Sequence, residues 1–206
     1  MGIRFRPAGS DSLIVEFESE NCRAVDFYPH LKSRFLEITP CFNTLLIRYG
    51  NDRSYEDALR SVKEALNASF LPEKKEVPVL FGGFEGLSNI SRICTKTKIE
   101  LVSEITSSLH KVCAVGTPPG SAYFSFPYRF ESSEKKIIKA GSLVLNRNGM
   151  VLISDECEFE GCVIGKTYLK LFAKEIEGYS YLKAGDLVKF ISIEKSEFIK
   201  RGGKID

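Results

Sequence analysis

Few residues in this sequence have the types and spacing that chemistry needs. The run Gly161-Cys162-Val163-Ile164-Gly165-Lys166-Thr167 comes nearest to a nucleotide-binding loop. A P-loop cradles phosphates on backbone N–H groups held between a first glycine and a Gly-Lys-Thr at fixed spacing. Here the spacing is one residue short, and the position of the first glycine holds Glu160, whose charge repels a phosphate. The residues after it are strand-like, so no helix N-terminus is available to hold an anion. Lys166 and Thr167 are therefore read as opening a strand. His110 follows Ser107-Ser108, but no Gly-x-Ser-x-Gly elbow is present, and adjacency in sequence does not activate a serine.

Two further groups admit more than one meaning. Gly116-Thr117-Pro118-Pro119-Gly120 either exposes backbone N–H groups at a pocket mouth or is a tight strand connection stiffened by its prolines. The residues themselves favour the connection. Asp155, Glu156, Glu158 and Glu160 are interleaved with Cys157 and Phe159, the pattern of the wet face of a strand or hairpin. Hard-cation sites need converging oxygens, which linear spacing does not supply. The six cysteines contain no Cys-x-x-Cys, and only His30 and His110 could assist them, so no zinc site is expected. Cys157 and Cys162 are read as two reduced thiols rather than a hairpin disulfide.

These residues must be positioned by strands and turns. From Val112 to Phe172 the chain is β-rich and punctuated by Gly and Pro, the pattern of a β-barrel module with a Gly-Pro rim. Asn146-Arg147-Asn148-Gly149 is its strongest turn signal, with Asn-Gly tolerating positive φ. Lys183-Ala184-Gly185-Asp186 is a second turn, leading into the alternating Leu187 to Ile193. The residues from Arg201 to Asp206 read as a frayed tail.

Upstream, Leu13 to Phe17 is a strand, and Asn21 to Ser33 a helix candidate interrupted by Pro29. Phe35 to Ile38 and Thr44 to Tyr49 are strands, with Pro40 marking their connection. Ser54 caps a helix in which Tyr55, Leu59, Val62 and Leu66 form one face, and Lys75 to Phe81 is a strand. The order β-α-β-β-α-β is the split βαβ arrangement of ferredoxin-like domains. A ferredoxin-like α/β domain is thus expected over residues 1–81. Gly82-Gly83-Phe84-Glu85-Gly86 is then a linker over 82–86, and a second domain covers 87–206, opening with helices at Leu87–Cys94 and Glu100–Leu109.

With 206 residues, 43% hydrophobic and 27% charged, the chain has the composition of a globular protein. A net charge of +2, without a Lys/Arg-dense block among aromatics, gives no nucleic-acid footprint. Neither a signal core nor a membrane-length apolar run is present, and the expectation is a cytoplasmic protein without membrane association.

Seven segments carry a family likeness. They are Pro7 to Phe17, Asn43 to Tyr49, Val77-Pro78-Val79-Leu80-Phe81-Gly82-Gly83, Gly116 to Tyr123, Lys139-Ala140-Gly141-Ser142-Leu143, Ile164 to Phe172 and Ala184 to Phe190. In this order they resemble the 5-oxoprolinase B-subunit family, also described as allophanate hydrolase subunit 1 or the PxpB/KipI family. The resemblance implies an α+β protein with a small N-terminal domain and a cyclophilin-like C-terminal β-barrel. It also implies ATP-dependent ring opening of 5-oxoproline to glutamate in a complex. The partners would be a second cyclophilin-like subunit, of the 5-oxoprolinase C type, and a larger one of the A type. ATP would be used through that complex and not bound by this chain alone. The substrate-binding residues it implies are Gly116, Pro119, Gly120, Tyr123, Gly141, Ser142, Lys166 and Thr167. In that set Lys166 is an anion contact and the loop amides orient a carboxylate.

No catalytic residue or metal ligand carries over. The family's His before the barrel is replaced by Ile105-Thr106-Ser107, its Gly-Gly-Gln-Thr-Gly by Asn146 to Gly149, and its Pro-Gly-Gly-Trp by Glu158 to Gly161. The aromatics that follow glycine in its hallmark loop are Thr117 and Ser121 here. An alternative role, known among relatives, is a non-catalytic protein that inhibits a sensor histidine kinase.

Overall fold

The computed structural model describes residues 2–18, 22–66, 72–132 and 134–205. The chain is α+β and sheet-rich, and it divides into two compact units, Met1–Glu73 and Lys74–Asp206.

The first unit runs β1 (Ile3–Pro7), β2 (Ser12–Phe17), α1 (Ala24–Leu31), β3 (Glu37–Cys41), β4 (Thr44–Arg48) and α2 (Tyr55–Ala65). Its strands form an antiparallel sheet in the order β1-β2-β4-β3. Alternation puts Leu13, Val15 and Phe17 of β2 and Leu45 and Ile47 of β4 on one buried face, against Phe27 and Leu31 of α1 and Ala58 and Val62 of α2. The Ser54 cap forms as expected, its Oγ accepting from the Asp57 N–H at 3.1 Å. Pro29 lies inside α1, where it removes one backbone donor, and stacking of Phe27 on Phe17 at 5.1 Å holds the short helix to the sheet.

Two expectations fail in this unit. Pro40 lies within β3 opposite Leu45, and the connection is Phe42-Asn43, with Phe42 at φ +52. The strand read at Lys75–Phe81 does not join this sheet. The edge beside β2 is taken by β1, a short alternating strand with few apolar residues to announce it.

The second unit runs β5 (Lys74–Val79), α3 (Glu85–Cys94), α4 (Lys98–Ser107), β6 (His110–Gly116), β7 (Ser121–Phe124), β8 (Lys135–Ile138), β9 (Ser142–Asn146), β10 (Gly149–Leu152), β11 (Cys157–Glu160), β12 (Cys162–Lys166), β13 (Leu187–Ser192) and α5 (Lys195–Lys200). Strands pair in the order β5-β13-β6-β7-β10-β9-β12, with β5 and β13 parallel and the rest antiparallel. Leu80 and Lys166 then exchange backbone hydrogen bonds of 2.8 and 2.9 Å. The pair β8-β11 forms a separate ribbon. β9 is apolar through its centre because both its faces are buried. Leu143 and Leu145 enter the main core with Val112, Phe124, Ile164 and Phe190, while Val144 packs with Ile138, Val151 and Ile153.

This pairing corrects the domain boundary. The break falls after Glu73, not at 81, because β5 is hydrogen-bonded along the whole of β13, from Leu187↔Lys74 to Ser192↔Val79. Residues 82–86 are therefore not an interdomain linker. Phe81 is buried, Gly82-Gly83 is a surface turn, and Gly86 is buried in the first turn of α3. The 146–149 turn also differs in detail. Its loop is Arg147-Asn148, fixed by Asn148 N–H donating to Asn146 Oδ1 at 2.8 Å, and only Gly149 has positive φ. Lys166 and Thr167 do not open a strand; Lys166 ends β12. Among the described residues no helix is long and apolar enough to cross a membrane.

Candidate functional site

A cavity of about 740 Å³ in the second unit is walled by five stretches of chain. Leu80 to Phe84 follow β5, and Ile137 to Lys139 come from the end of β8. Ser142, Val163 and Lys166 come from β9 and β12, and Ser192 to Lys195, with Ile205, flank α5. Lys166 is only 8% exposed and Ser142 is 3% exposed, and they share the walls with the apolar Phe81, Phe84, Ile137 and Ile193 and with Lys139, Glu194 and Lys195. A buried ammonium attracts an anion more strongly than an exposed one, because little water screens it. The cavity is thus suited to a small anion with an apolar body.

The structure separates the eight sequence-derived residues into two groups. Gly141, Ser142, Lys166 and Thr167 come together: β12 and β9 pair at Lys166↔Ser142, and the Thr167 N–H donates to the Gly141 carbonyl at 2.8 Å. Of these, Ser142 and Lys166 line the cavity. Thr167 instead braces its own turn, Oγ1 accepting from the Leu169 N–H at 3.2 Å.

Gly116, Pro119, Gly120 and Tyr123 lie on the β6–β7 connection and do not line this cavity. That loop is held by side-chain hydroxyls. Tyr123 donates to the Thr117 carbonyl at 2.7 Å, and Ser154 Oγ to the Pro119 carbonyl at 2.7 Å. Ser121 Oγ lies 3.0 Å from Ser154 Oγ, two hydroxyls with no base between them. The loop is a strand connection braced by these hydroxyls.

Several walls of the cavity are not legible in the sequence. Phe81 to Phe84 read there as a strand end and a linker, Ile193 as a strand end and Ile205 as part of a frayed tail, and Glu194 and Lys195 carry no signal. Only the likeness carried by Val77 to Gly83 points to this place.

The other chemical candidates are spent on structure. Gly161–Thr167 gives its backbone to neighbouring strands, Lys166 N–H donating to Leu80 O at 2.9 Å and Thr167 N–H to Gly141 O at 2.8 Å. These amides are not free to cradle phosphate, so this segment does not fit ATP. His110 is buried, its Nε2 2.8 Å from the Ile105 carbonyl and its ring against Phe126 and Phe190. Burial holds its pKa below the usual value, outweighing the bond to Ile105 that would raise it. Cys157 and Cys162 are free thiols, and burial pushes Cys162 up to about 12, which removes its nucleophilicity. Among the described residues no group of three or more His, Cys, Asp or Glu converges on a metal-sized site.

Comparison with known proteins now places the chain. The family model for the carboxyltransferase domain, subdomain C and D, matches residues 3–145. The chain belongs to this family. Among its carboxyltransferase-domain relatives, the chain is 27% identical to the 5-oxoprolinase B subunit of Bacillus subtilis (strain 168), over 92% of each protein. The likeness carried by the seven sequence segments is thereby borne out. Among solved structures, TTHA0988 superposes with a TM-score of 0.74 at 17% identity, covering 89% of this chain and 40% of that one. The Kluyveromyces lactis urea carboxylase gives a TM-score of 0.64 at 12% identity, covering 96% of this chain and 22% of that enzyme. The chain therefore spans about two fifths and about a fifth of these two proteins, and at such identities they speak for the fold alone.

Proposed function

We propose that this protein is one component of an ATP-dependent complex that opens the cyclic amide 5-oxoproline to glutamate, and that it holds the substrate without performing the chemistry alone. The end-to-end correspondence with a protein named as the B subunit of 5-oxoprolinase supports the complex. One structural observation carries the substrate role: Lys166, a buried residue at 8% exposure, stands in the wall of a cavity that Phe81, Phe84, Ile137 and Ile193 line on its apolar side. Lys166 would take the substrate carboxylate, with Ser142 beside it, while Phe81, Phe84 and Ile193 cover the ring. Gly141 and Thr167 fix the backbone under these two residues. Gly116, Pro119, Gly120 and Tyr123 do not line this cavity and make no contact with the substrate in this proposal. ATP would be bound by a larger partner of the A type, and a second cyclophilin-like partner of the C type would complete the assembly.

The same reading assigns the second unit to the cyclophilin-like barrel of the family. In support, the Leu80–Lys166 bridge ties the two ends of its strand ladder. It assigns the first unit to a ferredoxin-like domain in which β1 fills the sheet edge expected for β5. A charge-assisted contact to a carboxylate is worth roughly 1.5–3 kcal/mol. In a complex reconstituted with both partner subunits, Lys166→Ala should lower 5-oxoproline-dependent activity about tenfold or more while leaving the melting temperature nearly unchanged. Full activity of that variant would remove Lys166 from the site.

A further inference from the structure

Both flanks of α5 reach the same cavity. Ser192 to Glu194 enter it before the helix and Lys195 at its first residue, and Ile205 enters it after. The return is built, not incidental. Gly202 N–H donates to the Ile199 carbonyl at 2.9 Å and Gly203 N–H to the Phe198 carbonyl at 2.9 Å, which closes the helix and turns the chain back. Phe198 is fully buried and meets Tyr168 edge-on at 6.3 Å, so the helix that carries the turn is anchored. Gly203 lies flat on that ring: a Cβ there would stand 2.3 Å from Phe198 Cε1. The chain is thus pinned two residues before Ile205, which presents a branched apolar side chain, 43% exposed, at the cavity wall.

We propose that Ile205 is a specificity-determining residue of this cavity, limiting the size of the apolar body that an anion bound at Lys166 can carry. The proposal rests on the reading of the cavity as a carboxylate site. Apolar contacts discriminate by steric fit and burial, and in such pockets one methylene changes selectivity roughly tenfold or more. Truncating Ile205 to alanine makes room for a second ring and removes contact from a single one. The side chain is half exposed, so its truncation should leave the fold intact.

The test is calorimetric titration of the full chain with two carboxylates, 5-oxoproline (one ring) and indole-2-carboxylate (two fused rings). The wild type should prefer 5-oxoproline. Ile205→Ala should shift the ratio of the two dissociation constants at least tenfold toward indole-2-carboxylate. Gly203→Ala, which dislodges the pinned turn, should shift it the same way, and Lys166→Ala should weaken both ligands without altering the ratio. If both probes bind, Lys166→Ala weakens both and the ratio is unmoved by Ile205→Ala and Gly203→Ala, the size-limiting role is overturned and the carboxylate site stands. A ratio shift with no effect of Lys166→Ala would support Ile205 and overturn Lys166 as the anion contact. If neither 5-oxoproline nor indole-2-carboxylate binds the wild type, both are overturned.

Discussion

At the scale of single residues, burial decides what each candidate can do. Gly120 has φ +84, and a Cβ there would stand 2.7 Å from Phe172 Cβ, so neither the backbone nor the neighbour accepts a branched side chain. Gly120→Val should cost on the order of 1–3 kcal/mol, read as a lower urea midpoint, and should lower activity with it. His110 sets a pH dependence. Its folded-state pKa is below that of the unfolded chain, so between the two values the unfolded state binds more protons and stability falls as pH is lowered. The His110 contribution should be full above about pH 6.5 and decline below it, toward the depressed folded value. Urea midpoints measured from about pH 7.5 to 5 should show this slope in the wild type and a flatter one in His110→Gln, which keeps a donor but does not titrate. Equal slopes would show that His110 is not the group responsible.

At the scale of elements, the sequence reveals what is local and conceals what is paired at a distance. The Ser54 cap, α2, the two helices after Gly83 and the β-rich run from Val112 are legible, because capping and periodicity act within a few residues. The partner of β5 is not. Nothing in Lys-Lys-Glu-Val-Pro-Val tells whether it closes the first sheet or pairs in parallel with β13, far along the chain. The same blindness hides half of the candidate site. Lys166 and Ser142 can be named from a family likeness, whereas Ile205 reaches the cavity only because Gly202 and Gly203 reverse the chain after α5. Truncations test the β5–β13 pairing. A fragment starting at Lys74 keeps β5, with Val77 and Val79 in the core, and should fold alone. One starting at Leu87 exposes the edge of β13 and loses those side chains, and should lack a cooperative thermal transition by circular dichroism. Cooperative folding of the shorter fragment would place the boundary back near residue 81.

At the scale of the whole molecule, the chain has a walled cavity but no assembled catalytic group among the described residues. The Ser121–Ser154 pair lacks a base, the buried His110 is held by the Ile105 carbonyl, and the Gly-Lys-Thr amides are consumed by strand pairing. The proposed role accounts for this arrangement by placing the remaining parts of the reaction on partner chains. The relatives are consistent in scale, since this chain matches nearly the whole of a protein named as one subunit but only a fraction of two longer proteins. The central claim is tested most directly by measuring 5-oxoproline-dependent ATP hydrolysis for the purified chain, for the two partner subunits together, and for all three. The proposed role predicts no turnover by the chain alone, little by the partners without it, and full turnover only in the three-part mixture. Turnover by the isolated chain, or undiminished turnover by the partners in its absence, would contradict it.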